Sequence, residues 1–195
     1  MGRLILILGG ARSGKSTHAQ RLAKAHGGKV LFIATAEGLD DEMRARIAAH
    51  QSERPADWQT LEIPYNVADA FIRLSPLSDV VLLDCLTLLV SNLLLLEGEI
   101  DQSDMARADA FSHRLEAEIQ ALLEAIRGSR ADWIVVSNEV GLGLVPLYPS
   151  GRLYRDLLGH ANQVLAAQAD EVYWLVAGIP VPIHGYRCKS PDFEG

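Results

Sequence analysis

Gly9 to Ser16 reads GGARSGKS, which fits the pattern G-x-x-x-x-G-K-S with its fixed glycines at Gly9 and Gly14. Glycines let a backbone curl until successive N–H groups point inward, and such a concavity binds phosphate oxygens. A helix beginning at Lys15 adds its positive end to the same place. Lys15 would bring a compact full charge to the terminal phosphates, and the Ser16 hydroxyl could ligate Mg²⁺. Gly9, Gly10, Ala11, Arg12, Ser13, Gly14, Lys15 and Ser16 are therefore the candidate cradle of a nucleoside triphosphate, ATP or GTP. Only four residues are lysine (Lys15, Lys24, Lys29 and Lys189), so one standing inside this pattern carries weight.

A second candidate is Asp84, which ends the apolar run Val80-Val81-Leu82-Leu83. A neighbouring strand that ends in a carboxylate would hold the Mg²⁺ of a bound triphosphate, with Ser16 as the other protein ligand. Its competing reading is a cap for the helix that begins at Cys85. The third candidate lies in RARIAAHQSERP, Arg44 to Pro55, where Arg46, His50 and Arg54 recur every four residues and share a helix face. Two flanking guanidinium groups disfavour a protonated imidazole. Neutral imidazole, whose ordinary pKa is about 6.5, is a nucleophile near neutral pH. His50 is either a surface residue or a nucleophile kept neutral for chemistry on an anion.

These residues need a scaffold, and the chain supplies one. Apolar runs at Leu4–Leu8, Lys29–Ala34, Asp79–Leu83, Asp132–Ser137 and Glu171–Ala177 predict strands, with shorter ones at Gln59–Ile63 and Val181–His184. Helices are expected at Lys15–Ala25, Asp40–Glu53, Val67–Leu74, Cys85–Leu96, Ser103–Arg127 and Arg152–Gln168. Asp40 caps the second of these, and Pro55 forces it to end. Alternating strands and helices predict an α/β protein, a mostly parallel sheet with helices on both faces in a P-loop NTPase (RecA-like) architecture. Its ligand would lie beyond the carboxyl ends of the strands, where the residues after Leu8, Ala34, Leu83 and Ser137 converge.

Two weaker constellations sit on that edge. Asn138 and Glu139 follow a predicted strand, and Gly141 and Gly143 would let their loop close over substrate; helix capping is the alternative. On the last long helix, Arg152, Arg155, Gly159 and Asn162 are expected to share one face, opposite Leu153, Leu157, Ala161 and Val164. A mid-helix glycine costs about 1 kcal/mol against alanine, which predicts a close approach at Gly159 by the substrate, a nucleotide, another subunit or a packed helix.

Composition narrows the function classes. The 195 residues are 49% hydrophobic and 22% charged, as expected of a globular protein, and carry a net charge of −7. That charge argues against a general nucleic-acid partner. Cys85 and Cys188 are too few for a disulfide framework. No signal peptide is read, and Leu86–Leu96 is too short to span a bilayer, so a cytoplasmic location without a membrane span is expected. A regulatory GTPase would need N-K-x-D and a D-x-x-G after Asp84, and both are missing. One domain, residues 1–184, is expected to hold the site, followed by a tail, 185–195, with no assigned role.

Together GGARSGKS, Ala34-Thr35-Ala36, DDEMxxRIxxHxxxRP (Asp40–Pro55), VSNEVGxGxVP (Val136–Pro146) and RDxxGxxNQ (Arg155–Gln163) resemble one family. It is the bifunctional adenosylcobinamide kinase/adenosylcobinamide-phosphate guanylyltransferase family of cobalamin biosynthesis, and the resemblance runs from about Leu4 to Ile183. It implies phosphorylation of the aminopropanol hydroxyl of adenosylcobinamide, with ATP or GTP and Mg²⁺. Transfer of GMP from GTP to that phosphate follows, through a GMP-histidine intermediate, giving adenosylcobinamide-GDP and pyrophosphate. The family's histidine falls on His50. Its nucleotide contacts fall on Gly9 to Ser16, on Ala34, Thr35 and Ala36, on Gln51, Ser52, Glu53 and Arg54, and on Glu62 and Asp84. A homotrimer is implied as well. A plain P-loop small-molecule kinase, or a non-enzymatic nucleotide-gated regulatory protein, is the rival reading of the same phosphate loop.

Overall fold

The structure is a computed structural model that describes residues 2–38, 41–52, 54–74, 77–98, 100 and 105–183; within the second helix the side chains of residues 42, 43, 46, 49, 50 and 52 are not described. Asp40 as a cap, Glu53, His184 and the tail 185–195 fall outside it. The elements run β1 (Leu4–Gly9), α1 (Lys15–His26), β2 (Val30–Ala34), α2 (Asp41–Ser52), β3 (Gln59–Glu62), α3 (Val67–Leu74) and β4 (Val80–Asp84). They continue as α4 (Leu86–Glu97), α5 (Met105–Gly128), β5 (Asp132–Val136), α6 (Pro149–Gln168), β6 (Glu171–Val176) and β7 (Ile179–Pro182).

One seven-stranded sheet has the order β3-β2-β4-β5-β1-β6-β7. Every pairing is parallel except that of β7 with β6. Strands covered on both faces should be apolar at every position, and β1 is buried throughout. Leu4, Leu6 and Leu8 join the larger core, shared with α3 to α6, while Ile5 and Ile7 face Ala19 and Ala23 of α1. In β4 the same alternation sends Val81 and Leu83 one way and Val80 and Leu82 the other. The Asp84 strand is not the immediate neighbour of β1, since β5 lies between them. The acid was expected on a neighbouring strand; the insertion of β5 corrects this and leaves room for a groove between the phosphate loop and Asp84.

Three boundaries differ from expectation for local reasons. Helix α6 starts at Pro149, not Arg152. Proline suits a first helical turn, where its missing N–H costs nothing and its φ is preset. Gly151 sits inside the helix because loop residue Pro146 packs there: a Cβ would stand 2.8 Å from its Cβ. Strand β6 ends at Val176, because Ala177 (φ 51) and Gly178 (φ 80) form a two-residue turn into β7. Strand β7 runs Ile179–Pro182, and its prolines fit an edge strand that need not donate to a further ladder.

Helix α6 also presents a different face from the one predicted. Leu158, Ala161, Asn162 and Leu165 are buried, so Asn162 belongs to the core side and not with Arg152 and Arg155. Its Nδ2 donates to the Asn138 carbonyl at 3.0 Å, which offsets the burial of an amide. At Gly159 no described atom lies within 4 Å of the Cβ position, so the close approach expected there is not made within the described chain. No helix among the described residues is long and apolar enough to cross a membrane.

Candidate nucleotide site at the carboxyl edge of the sheet

The loop between β1 and α1 is shaped by contacts that forbid a side chain. Gly9 has φ 155, and a Cβ on it would stand 2.6 Å from the Leu175 carbonyl oxygen and 2.8 Å from Ser13 Oγ. Gly14 has φ 93 and would press its Cβ to 3.2 Å from Gly178 Cα in the β6–β7 turn. That turn in turn supports the loop, with Gly178 N–H donating to the Ser13 carbonyl at 2.9 Å. Gly9→Ala is therefore expected to lower stability by roughly 1–3 kcal/mol, measured by denaturant unfolding. An unchanged midpoint would show that the loop tolerates another path.

Lys15 opens α1 and is only 7% exposed. Its ammonium donates to the Gly10 carbonyl at 2.6 Å. Burial lowers the Lys15 pKa, and the charge of Asp84 opposes that shift. Cys85 adds nothing to this at neutral pH, because burial pushes its thiol up to about 12 and keeps it protonated. A buried cation beside a carboxylate, at the mouth of a glycine loop, is poised to exchange a backbone carbonyl for a phosphate oxygen.

Lys15 lines a groove of about 540 Å³. Ala11 to Ser16 form one end of its lining, and Asp84, Ala34 and Ala36 continue it along the sheet edge. Arg54 and Glu62 close the other end, with Ile47 of α2 beside them. Four inter-strand steps separate β1 from β3, a distance of about 19 Å. Asp84 does not cap α4: the capping position is Cys85, with no side-chain cap bond. Its carboxylate instead faces the groove with Ser16. No cluster of three or more His, Cys, Asp or Glu side chains among the described residues could hold a metal by itself. Two oxygen donors in an open groove fit Mg²⁺, which takes few protein ligands and completes its shell with phosphates and water.

Arg54 is held in an unusual way. Its guanidinium carbon lies 3.7 Å from the centroid of Phe32, which stacks in turn on Trp58 at 6.5 Å. Nε and Nη1 are buried without a hydrogen-bond partner among the described residues. Burial lowers the Arg54 pKa, and Asp84 and Glu62 oppose the shift. Guanidinium nevertheless stays charged, so the groove carries a cation that is short of polar partners at this end. Glu62 accepts from Gln51 Nε2 at 2.8 Å.

The other predicted residues divide clearly. Gly9, which is buried, and Gly10, which is exposed, shape the loop without lining the groove. Thr35 is fully buried, and its hydroxyl donates to the Cys85 carbonyl at 2.7 Å and accepts from the Cys85 N–H at 2.8 Å. It braces the wall and does not face the groove. His50 and Ser52 are in α2 with side chains outside the description; His50 stands three residues after Ile47. Asn138 lines the groove, and the Glu139 carboxylate accepts from the Gly141 N–H at 2.7 Å, a turn within the loop itself.

Sequence reading passed over Thr87, which lines the groove and is 6% exposed. Its hydroxyl accepts from the Asn138 N–H at 2.7 Å, and its carbonyl accepts from the Tyr154 hydroxyl at 3.2 Å. Thr87 and Asn92 were the visible signal, polar residues in an otherwise apolar helix.

A glycine cradle with a buried lysine, an acid strand one strand removed, and helices on both faces define a phosphate-loop nucleotide-binding protein. Within that class, residues 5–183 match the family model for cobinamide kinase / cobinamide phosphate guanyltransferase. The chain belongs to that family. It is 46% identical over 183 residues to the bifunctional adenosylcobalamin biosynthesis protein CobU of Salmonella typhimurium, covering 92% of this chain and 99% of the relative. Identity to the CobU protein of Escherichia coli is 44% over 182 residues, covering 92% and 99%. To the bifunctional adenosylcobalamin biosynthesis protein CobP of Pseudomonas aeruginosa it is 43% over 180 residues, covering 92% and 96%. Among solved structures, the RadB recombinase superposes with a TM-score of 0.48 at 14% identity, covering 89% of this chain and 74% of that one.

Proposed function

We propose that one domain, residues 1–184, carries both reactions of its family along a single groove, with His50 as the covalent nucleophile. The observation that carries this reading is the continuity of the groove: Lys15 and Asp84 line it together with Arg54 and Glu62. In the kinase reaction the hydroxyl oxygen of the aminopropanol arm of adenosylcobinamide attacks the γ-phosphorus of ATP or GTP. The hydroxyl loses its proton, and the nucleoside diphosphate leaves. Lys15 and the loop N–H groups hold the phosphates and stabilise the charge that builds on them. Ser16 and Asp84 would hold Mg²⁺, which supplies further neutralisation of the polyphosphate when bound.

In the transferase reaction a neutral His50 nitrogen attacks the α-phosphorus of GTP. A P–N bond forms, the α–β bridging bond breaks, and pyrophosphate leaves with the electron pair. A phosphate oxygen of adenosylcobinamide phosphate then attacks the same phosphorus, the P–N bond breaks, and free imidazole returns. Positions three apart share a helix face, so the groove-lining Ile47 supports a groove-side place for His50. Arg54 supplies positive charge at this end beside Glu62, which accepts from Gln51; the family resemblance adds Ser52 and Glu53 as nucleotide contacts.

Arg54→Lys keeps the charge but loses the planar stack on Phe32, and it is expected to weaken GTP binding about tenfold. Titration with a fluorescent GTP analogue measures this, and unchanged affinity would remove Arg54 from the site. The exposed apolar run of Leu142, Leu144, Val145, Leu147 and Tyr148 supports a homo-oligomer, for which the family suggests a trimer. A cytoplasmic location accords with the nucleotide substrates.

Incubation with adenosylcobinamide, Mg²⁺ and GTP, followed by mass analysis, tests the function. Adenosylcobinamide-GDP and pyrophosphate are the expected products. Phosphorylated adenosylcobinamide alone would leave a plain kinase, and binding without turnover would leave a regulatory protein.

A further inference from the structure

We propose that Asn92 is a positioning residue for guanylyl transfer, stapling together the two roots of the segment that carries His50. The inference rests on the reading of His50 given above. Helix α4 reads LTLLVSNLLLLE, and Asn92 is buried in it at 5% exposure, where a leucine would pack as its neighbours do. An amide at such a place is retained only if its protons are used. Both of them are: Nδ2 donates to the Thr35 carbonyl at 2.7 Å and to the Pro64 carbonyl at 3.0 Å.

Those two carbonyls have a particular place in the chain. Thr35 follows β2 and Pro64 lies two residues beyond β3. Between them run α2 with His50, then Arg54, then Glu62. The β2–β3 register ends at Ala34 and Glu62, so the roots lie just past the ladder that orders the sheet. One side chain therefore ties the exit and the return of the excursion to the same point of α4. The tie extends further, because the Thr35 hydroxyl exchanges hydrogen bonds with the backbone of Cys85, next to Asp84. Asp84 is also held by the sheet, paired in register with Ala34 on one side and Val136 on the other, while its carbonyl accepts from the Thr35 N–H at 3.3 Å. The phosphate loop is carried by a different strand, β1, with β4 and β5 between it and β2. Loosening Asn92 should thus misplace the His50 end of the groove more than the Lys15 end. Misplacement by about 1 Å can cost a reaction about a hundredfold.

The test uses the full chain with Asn92→Asp, which keeps shape and volume but sets an oxygen against two carbonyl oxygens. Asn92→Ser, which is smaller and keeps one donor, serves as the second variant. Two rates are measured at pH 8: single-turnover formation of acid-labile protein label from α-labelled GTP, and kinase turnover from γ-labelled nucleotide. Label formation is expected to fall by about tenfold or more in Asn92→Asp while kinase turnover changes by less than about threefold. Asn92→Ser should give a smaller loss with the same split, and it carries the test if Asn92→Asp does not fold. A proportional fall in both rates, or no change in either, would overturn the staple while leaving His50 in place. Absence of label in the wild-type chain would instead defeat the His50 reading, and the staple with it.

Discussion

His50→Ala is expected to abolish acid-labile labelling of the protein by α-labelled GTP, a loss of about a thousandfold or more. The size follows from the kind of role. A residue that only binds or orients can be partly replaced by water or a neighbour. A covalent acceptor has no such substitute, because without the imidazole the P–N bond of the histidine intermediate does not form. Of the four other described histidines, His113 is exposed on α5 and three have partners elsewhere. His18 packs edge-on against Tyr173 at 5.6 Å, His26 faces Asp132 at 3.6 Å, and His160 faces Glu116 at 3.0 Å. None of the three lines the groove. Label persisting in His50→Ala would identify another nucleophile and return His50 to a surface role.

Lys15→Ala should impair both reactions, each by about a hundredfold to a thousandfold. The two reactions address different phosphorus atoms, so a residue near only one of them would depress only one. Lys15 differs because it anchors the polyphosphate itself, from a buried position where the local dielectric strengthens its charge. Its bond to the Gly10 carbonyl also closes the loop on itself, so alanine removes a strut as well as a cation. Lys15→Arg should not rescue, since the wider, planar guanidinium does not fit a cradle built for a compact ammonium. Radiometric assay of both activities checks the prediction. Full kinase turnover in Lys15→Ala would contradict a phosphate loop shared by the two reactions.

Much of the scaffold was legible in the sequence, because strands buried on both faces must be apolar at nearly every position. Val80–Asp84 and Asp132–Val136 stood out for that reason, and GGARSGKS fixed the loop between β1 and α1. Less was legible where tertiary contacts overrule local pattern. Gly151 looked like a loop residue until Pro146 was seen against it, and the α6 face was misread because Asn162 is buried to reach Asn138. Ala177-Gly178 lacks the asparagine or aspartate that most often marks such a turn, so the pattern extends β6 one residue past its end at Val176. In the site, residue type pointed to Lys15 and Asp84, whereas Arg54, expected on one helix face with Arg46 and His50, lies beyond the end of α2 at Ser52. The bracing roles of Thr35, Thr87 and Asn92 depend on partners about 50 residues away. No single-sequence pattern encodes those pairings.

The most direct measurement is peptide mapping by mass spectrometry of the wild-type chain, quenched in alkali after brief incubation with GTP and Mg²⁺. The account predicts one added guanylyl group, on the peptide spanning residues 47–54, with the modification at His50 and pyrophosphate released in equal amount. An unmodified chain that still converts adenosylcobinamide phosphate to adenosylcobinamide-GDP would contradict it, as would a guanylyl group on any other residue.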